Sequence, residues 1–505
     1  MSSQLQQLRE ALAEVEDLRH AAAVAEWDQQ TQMPPRGGAA RAEVLATLEK
    51  VAHEKFAAAS VGRLLEGAAA ELESAGRQDP SDDDVALVTH TRRVWEKARR
   101  VPTELAAELA RAASLGQEVW VRARTENDFG AFAPVLSHQI ELKRRYVECF
   151  EGFACAYDAL LDDYEPQMKT AQVAALFTEL RDALVPLIEA VSQRELDDSI
   201  LHGHFPVEDQ RRLVREVISL QGWNAEGWRL DDAAHPFATS FANSDVRITD
   251  RWDERYFPSS LYGAMHETGH GLYEAGIADA LMRTPLGHGV SLGVHESQSR
   301  LWENMVGRGR PFAQVLSPRV VAVFGGALSD LSPERLFRAV NRVGGSLIRV
   351  EADEATYSLH VIIRFELEQA LIEGRLAVAD LPEAWNAKYR DYLGIEVPSD
   401  ADGVLQDVHW SAGLFGYFST YALGNLIAGQ LWRQAHLDLG DLDAQIAAGE
   451  LAGLREWLRV NVHHHGAKYL TPDLLHRVVG TGIEVGPFVD YLTAKLSDVY
   501  ELTLA

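Results

Sequence analysis

Cysteine is almost missing from this chain: Cys149 and Cys155 are the two among 505 residues. Two are too few for a disulfide framework and neither belongs to a metal-type pair, so both read as helix or core thiols of a reducing compartment. Basic charge is also short. Seventy-five acidic residues stand against 48 lysines and arginines, a formal net charge of −27. That balance argues against nucleic acid or an anionic membrane as the main partner. It leaves the substrate open, because an acidic surface mostly serves solubility. Nowhere do about eighteen apolar residues follow one another, so no membrane span is expected. Residues 1–20 carry Leu5, Leu8, Leu12, Val15 and Leu18 at helical spacing, which reads as an amphipathic helix and not a signal peptide. These absences together point to a cytoplasmic protein. Repeats, low-complexity tracts and flexible linkers are absent from the sequence as well.

Strand patterns are scarce. Amphipathic helices rich in Ala, Leu, Glu and Arg are expected over 36–75, 82–125, 133–162 and 169–195, and later over 296–307, 333–343, 345–373, 380–393 and 413–440. Asp245–Thr249 is the best strand candidate and Gly287–Val294 a weaker one. The expected fold class is therefore mainly α, one large helical body over 1–505 with a small β-sheet.

Within that helical background stands His266-Glu267-Thr268-Gly269-His270. On a helix the two histidines project from one face about one turn apart, and two imidazoles so presented can grip one tetrahedral Zn²⁺. Glu267 between them is placed to take a proton from water at the metal. Apolar residues on both sides, Leu261 to Met265 and Gly271 to Tyr273, suit a buried helix, with Ser259 or Ser260 as N-cap. A hydrolytic site needs a third protein ligand and an open position. Beyond the glycine-rich turn Gly287–Gly293, Glu296 opens a second helix and fits that role.

Four more clusters lie between residues 235 and 421. His235-Pro236-Phe237 reads as a turn. The Asp245–Thr249 strand aligns Asp245, Arg247 and Thr249 on one face, where Arg247 could hold an anion or simply form an ion pair on a sheet edge. Arg349, Glu351 and Asp353 sit in apolar surroundings and need partners if buried. Arg349 there could receive a substrate carboxylate or pair internally. His409, ahead of the aromatic run Phe415–Tyr421, could with a tyrosine donate to the oxyanion of a tetrahedral intermediate, or merely pack.

Taken in order, His235–Phe237, Asp245–Thr249, His266–His270, His295–Gln298, Ile348–Asp353 and Gly403–Trp410 resemble the signature motifs of the carboxypeptidase Taq family, the M32 metallocarboxypeptidases. The resemblance implies a helical, zincin-like fold with a deep active-site groove, covered by helices of roughly 1–195 over a catalytic core of roughly 196–505. It implies peptide substrates shortened from the C-terminus with broad specificity, C-terminal proline being poor, and a homodimer. It makes His266, His270 and Glu296 ligands of Zn²⁺, with Co²⁺ able to replace it, and Glu267 the general base. Arg349, with Arg247 as second candidate, would bind the terminal carboxylate. His409 and Tyr421 would stabilise the intermediate, with Tyr417 competing, and His235 would line the same pocket. Two rivals are an oligopeptidase using the same site and a peptide-binding protein with a relic metal site. His463-His464-His465 is expected in a solvated or groove position without a catalytic role.

Overall fold

A computed structural model describes residues 3–504. The helical regions form, but several are cut where the sequence pattern runs on. Pro102 cannot donate a backbone hydrogen bond, and it divides 82–125 into Asp83–Arg100 and Thr103–Glu126. The 36–75 region is two helices, Gly38–Phe56 and Ala59–Ser74. Among the described residues no helix is long and apolar enough to cross a membrane.

The chain packs into two compact units, one of Met1–Arg99, Asp197–Val340 and Leu431–Gly482, the other of Arg100–Leu196, Asn341–Gln430 and Ile483–Ala505. The first holds a three-stranded sheet: β1 (Trp228–Asp232), β2 (Ala238–Ala242) and β3 (Asp245–Asp250), in the order β1-β3-β2. β3 runs parallel to β1 and antiparallel to β2. The expected strand is thus the centre of the sheet, not an edge. Its Val246 and Ile248 are wholly buried against the helix Pro258–Gly276 that carries the His-Glu-x-x-His motif.

That helix also packs on Leu292–Arg300, and glycine permits the close approach. A Cβ at Gly269 would come within 2.7 Å of the Ser299 Cα and 2.8 Å of the Gln298 carbonyl oxygen, both backbone atoms. Gly269→Ala should therefore force the two helices apart, at a cost of roughly 1–3 kcal/mol. A lower urea midpoint with an unchanged slope, together with weaker metal retention, is the expected result.

Three local expectations change. Gly287–Val294 is not a strand: it is turn up to Ser291, whose Oγ accepts from the Val294 N–H at 3.2 Å and starts the helix at Leu292, ahead of Glu296. Ile348–Asp353 precedes its helix instead of lying within it. Asp353 is the N-cap of Glu354–Ile372, its Oδ1 accepting from the Ala355 and Thr356 N–H groups, the preferred place for an aspartate. The motif helix starts at Pro258 with no side-chain cap. Ser260 instead donates to Gln210 Oε1 at 2.7 Å.

In the second unit, Glu354–Ile372 is the buried axis, packed by Thr170–Ser192, Leu381–Leu393 and Phe129–Val147. Arg364 and Glu368 lie fully buried within it.

Candidate metal centre

The i,i+4 spacing does what helix geometry dictates. The His266 and His270 rings stand 4.8 Å apart, nearly perpendicular. Glu296 from the neighbouring helix brings Oε2 to 3.6 Å from His266 Nε2 and 3.4 Å from His270 Nε2. These three donor atoms belong to a group able to hold a metal ion.

The surrounding bonds fix which ring nitrogens stay available. His266 Nδ1 meets Glu303 Oε2 at 2.9 Å, and only a protonated Nδ1 can bond a carboxylate. His270 Nδ1 lies 2.6 Å from His295 Nδ1, and His295 Nε2 lies 2.8 Å from Glu274 Oε1. That chain is satisfied when His270 donates to His295 and His295 to Glu274, with Ser240 Oγ donating to Glu274 Oε2 at 3.1 Å. Both Nε2 atoms then offer lone pairs toward the Glu296 oxygen. Three acceptors converging at these spacings repel one another unless a proton or a cation lies among them. Two imidazoles and a carboxylate, each oriented by outer hydrogen bonds, suit a borderline divalent ion.

The electrostatics agree. Arg300 Nε donates to Glu296 Oε1 at 2.7 Å. Although burial opposes it, Arg300 and the histidines hold the Glu296 carboxyl well below its usual range. Burial pushes His270 down to about 4, against the pull of Glu296. His266 moves up: burial opposes, but Glu296 and Glu303 outweigh it. Glu267 is buried, with its carboxyl pushed up to about 7 by burial, the charges of Glu296 and Glu303 adding to the rise and His266 opposing it. It is thus the one carboxyl of this cluster poised to exchange a proton near neutrality.

Glu303, His295 and Glu274 are outer residues that sequence reasoning missed. Glu303 lies on Leu301–Gly307, a π-helical continuation of Leu292–Arg300, and such wide turns cluster at functional sites. Periodicity alone did not show it. His295 was visible as the neighbour of Glu296: adjacent helical residues diverge by about 100°, so the pair can serve both edges of His270. His463 is also corrected. It is buried, with Nε2 2.8 Å from Gln298 Oε1 and its ring against Tyr273. Burial drives its pKa down to about 3, so it packs as a neutral core histidine, while His464 is exposed.

Arg247 pairs with Asp245 through Nε at 3.0 Å and Nη2 at 3.1 Å, and its guanidinium lies over the Trp27 and Phe241 rings. Thr249 Oγ1 accepts from the Phe237 N–H at 2.8 Å and so anchors the His235–Phe237 turn. His235 itself is exposed, with Nδ1 2.9 Å from the Pro236 oxygen.

The second unit brings together Arg349, His409 and Tyr421. Arg349 is buried. Its Nε and Nη2 donate to Asp407 Oδ1 at 3.0 and 2.9 Å, and its Nη1 donates to Tyr357 Oη at 3.0 Å. Three of its five donors are thus assigned among the described residues, and two remain. Arg364 Nε holds the other Asp407 oxygen at 2.6 Å. His409 Nε2 lies 3.2 Å from Tyr421 Oη, and the Tyr421 ring lies beneath the Arg349 guanidinium at 4.9 Å. Tyr417 packs on both His409 and Tyr421, so the neighbourhood includes both tyrosines. Asp407 was quoted in the sequence motif, yet its double clamp on Arg349 and Arg364 was not foreseen.

A helical scaffold with this donor set and an adjacent buried glutamate defines a metallohydrolase-type centre. The chain belongs to the carboxypeptidase Taq (M32) metallopeptidase family, whose model matches residues 7–496, and is a metallocarboxypeptidase. It is 42% identical to thermostable carboxypeptidase 1 of Thermus thermophilus, over 98% of each chain. Carboxypeptidase 1 of Bacillus subtilis is 36% identical over 97% of each. Among solved structures, the M32 carboxypeptidase of Deinococcus radiodurans R1 superposes with a TM-score of 0.94 at 38% identity, covering 99% of this chain and 100% of that one.

Proposed function

We propose that the whole chain works as one zinc-dependent carboxypeptidase of broad specificity, with His266, His270 and Glu296 as the metal ligands and Glu267 as general base. The observation that carries this reading is the convergence of two Nε2 atoms on Glu296 Oε2, with both Nδ1 positions occupied by outer partners. A divalent ion held there supplies Lewis acidity, acidifying water and polarising a carbonyl. Co²⁺ suits the same donors.

Glu267 takes the proton of the attacking water on its carboxylate and returns it to the leaving amine, a use for which a carboxyl near neutrality is suited. Glu303 and the His295–Glu274 pair keep the histidine rings in register and in the required tautomer. Arg349 receives the terminal carboxylate on its two remaining donors, with Asp407 holding its plane; Arg247 is the second candidate. His409 and Tyr421 donate to the developing oxyanion, and His235 is a further substrate-binding residue. The acting form is a cytoplasmic homodimer cleaving peptides, with C-terminal proline resisted.

The test is a mixed-sequence decapeptide followed by mass spectrometry. A ladder of single losses from the C-terminus is expected with Zn²⁺ or Co²⁺, and none after chelation. C-terminal amidation should block it. Internal fragments, or losses from the N-terminus, would hand the site to the oligopeptidase rival.

A further inference from the structure

The first unit contains a second cluster with the same kinds of donor. Glu16 and His20 lie four positions apart on the helix Gln4–Thr31, so their side chains leave one face about one turn apart. His288, from the turn before Ser291, faces them. Glu16 Oε2 stands 3.0 Å from His288 Nε2, and the His20 and His288 rings are 6.1 Å apart. One donor atom from each of the three lies within 4.8 Å of the other two. Two imidazoles and one carboxylate, with one pair at i,i+4 and the third ligand from another segment, repeat the composition of the first centre.

The cluster is held in place from both sides. Glu16 is 1% exposed, and Arg19 Nη1 occupies its Oε1 at 2.8 Å, leaving Oε2 toward His288. Arg283 grips Asp17 with Nε at 2.9 Å and Nη2 at 2.5 Å, tying the turn to the helix. Beyond it, the Leu286 oxygen accepts from the Ala467 N–H at 3.0 Å, and the Val290 N–H donates to Tyr273 Oη at 3.2 Å. His288 therefore sits between fixed anchors. Burial lowers the pKa of His20, with His288 adding to the effect. Burial also opposes charge on His288, but Glu16 and Glu274 raise its pKa, so a cation binding here takes the place of the proton that His288 shares with Glu16. A cavity of about 220 Å³ adjoins the cluster, lined by His288, Glu274 and His295 among others.

We propose that Glu16, His20 and His288 form a second divalent-cation site, separate from the first, which fastens the helix Gln4–Thr31 to the Arg283–Ser291 turn. Its imidazole majority selects Zn²⁺, Co²⁺ or Ni²⁺ over Mg²⁺ and Ca²⁺.

The experiment counts metal. Protein stripped with chelator is reloaded with Zn²⁺, desalted, and assayed for zinc per chain by plasma mass spectrometry. Two equivalents are expected in the unmodified chain and one in His20→Ala, a half-buried position whose loss should leave the circular dichroism unchanged. His266→Ala should retain one equivalent, and that one should vanish when His20→Ala is added, which separates this site from any failure of the first. The same added Zn²⁺ should raise the melting temperature of His266→Ala but not of the double variant. One equivalent in the unmodified chain that persists in His20→Ala and is lost in His266→Ala, or two in His20→Ala, overturns the proposal.

Discussion

Glu267→Gln is expected to keep its metal and lose most of its turnover. Glutamine preserves the shape and removes the carboxylate that must alternately take and give a proton. General acid–base catalysis by one positioned side chain contributes on the order of 10²–10⁴-fold, so kcat should fall by about that range with KM little changed. Metal retention follows because Glu267 is absent from the donor group His266, His270 and Glu296. Relieving the charge strain should also favour folding slightly: burial is the largest cause raising the Glu267 carboxyl, and Glu296 and Glu303 add to it. A variant with full zinc content and near-normal kcat would show that another group is the base. A variant that lost its zinc would make Glu267 structural.

The second large effect concerns Arg349. Hydrogen bonds to charged groups contribute roughly 1.5–3 kcal/mol each, so losing a two-donor grip on a terminal carboxylate should lower kcat/KM by about 10²-fold or more. Arg349→Ala should show this on free-acid peptides, mainly as a higher KM, and very little on the corresponding amides. The fold should survive, because Arg364 still holds Asp407 at 2.6 Å and the buried carboxylate is not left without a partner. Arg247→Ala provides the comparison. If the loss follows Arg247, the carboxylate belongs there. Equal losses on acid and amide would make Arg349 a structural residue of the Asp407 cluster.

Several corrections share one cause. The strand expected at Gly287–Val294 failed because alternation over a few residues cannot be told from a turn ending in a helix cap, and Ser291 supplies the cap. The helix expected from residue 345 begins at Glu354, because Asp353 satisfies its first N–H groups. Helices expected to run unbroken over 36–75 were cut at a place with no glycine or proline to mark it. His463 reads as polar in sequence and is buried in the structure, since only packing against Gln298 and Tyr273 decides its surroundings.

The sequence by itself determined what depends on neighbours along the chain. The helical class, the shared face of His266 and His270, and the placing of Glu267 between them all follow from a rise of about 1.5 Å and about 3.6 residues per turn. Glu296 was legible as a third ligand because a second helix follows a glycine-rich turn. Tertiary structure decided what depends on distant partners and on loss of water. It paired His266 with Glu303 and His270 with His295, and so selected the tautomers. It buried Glu267 among like charges and moved its carboxyl toward neutrality. It set Asp407 between Arg349 and Arg364, and it brought His288 to Glu16 across 272 positions of sequence. Hydrogen-bond partners and desolvation are properties of the packed molecule, and no local pattern encodes them.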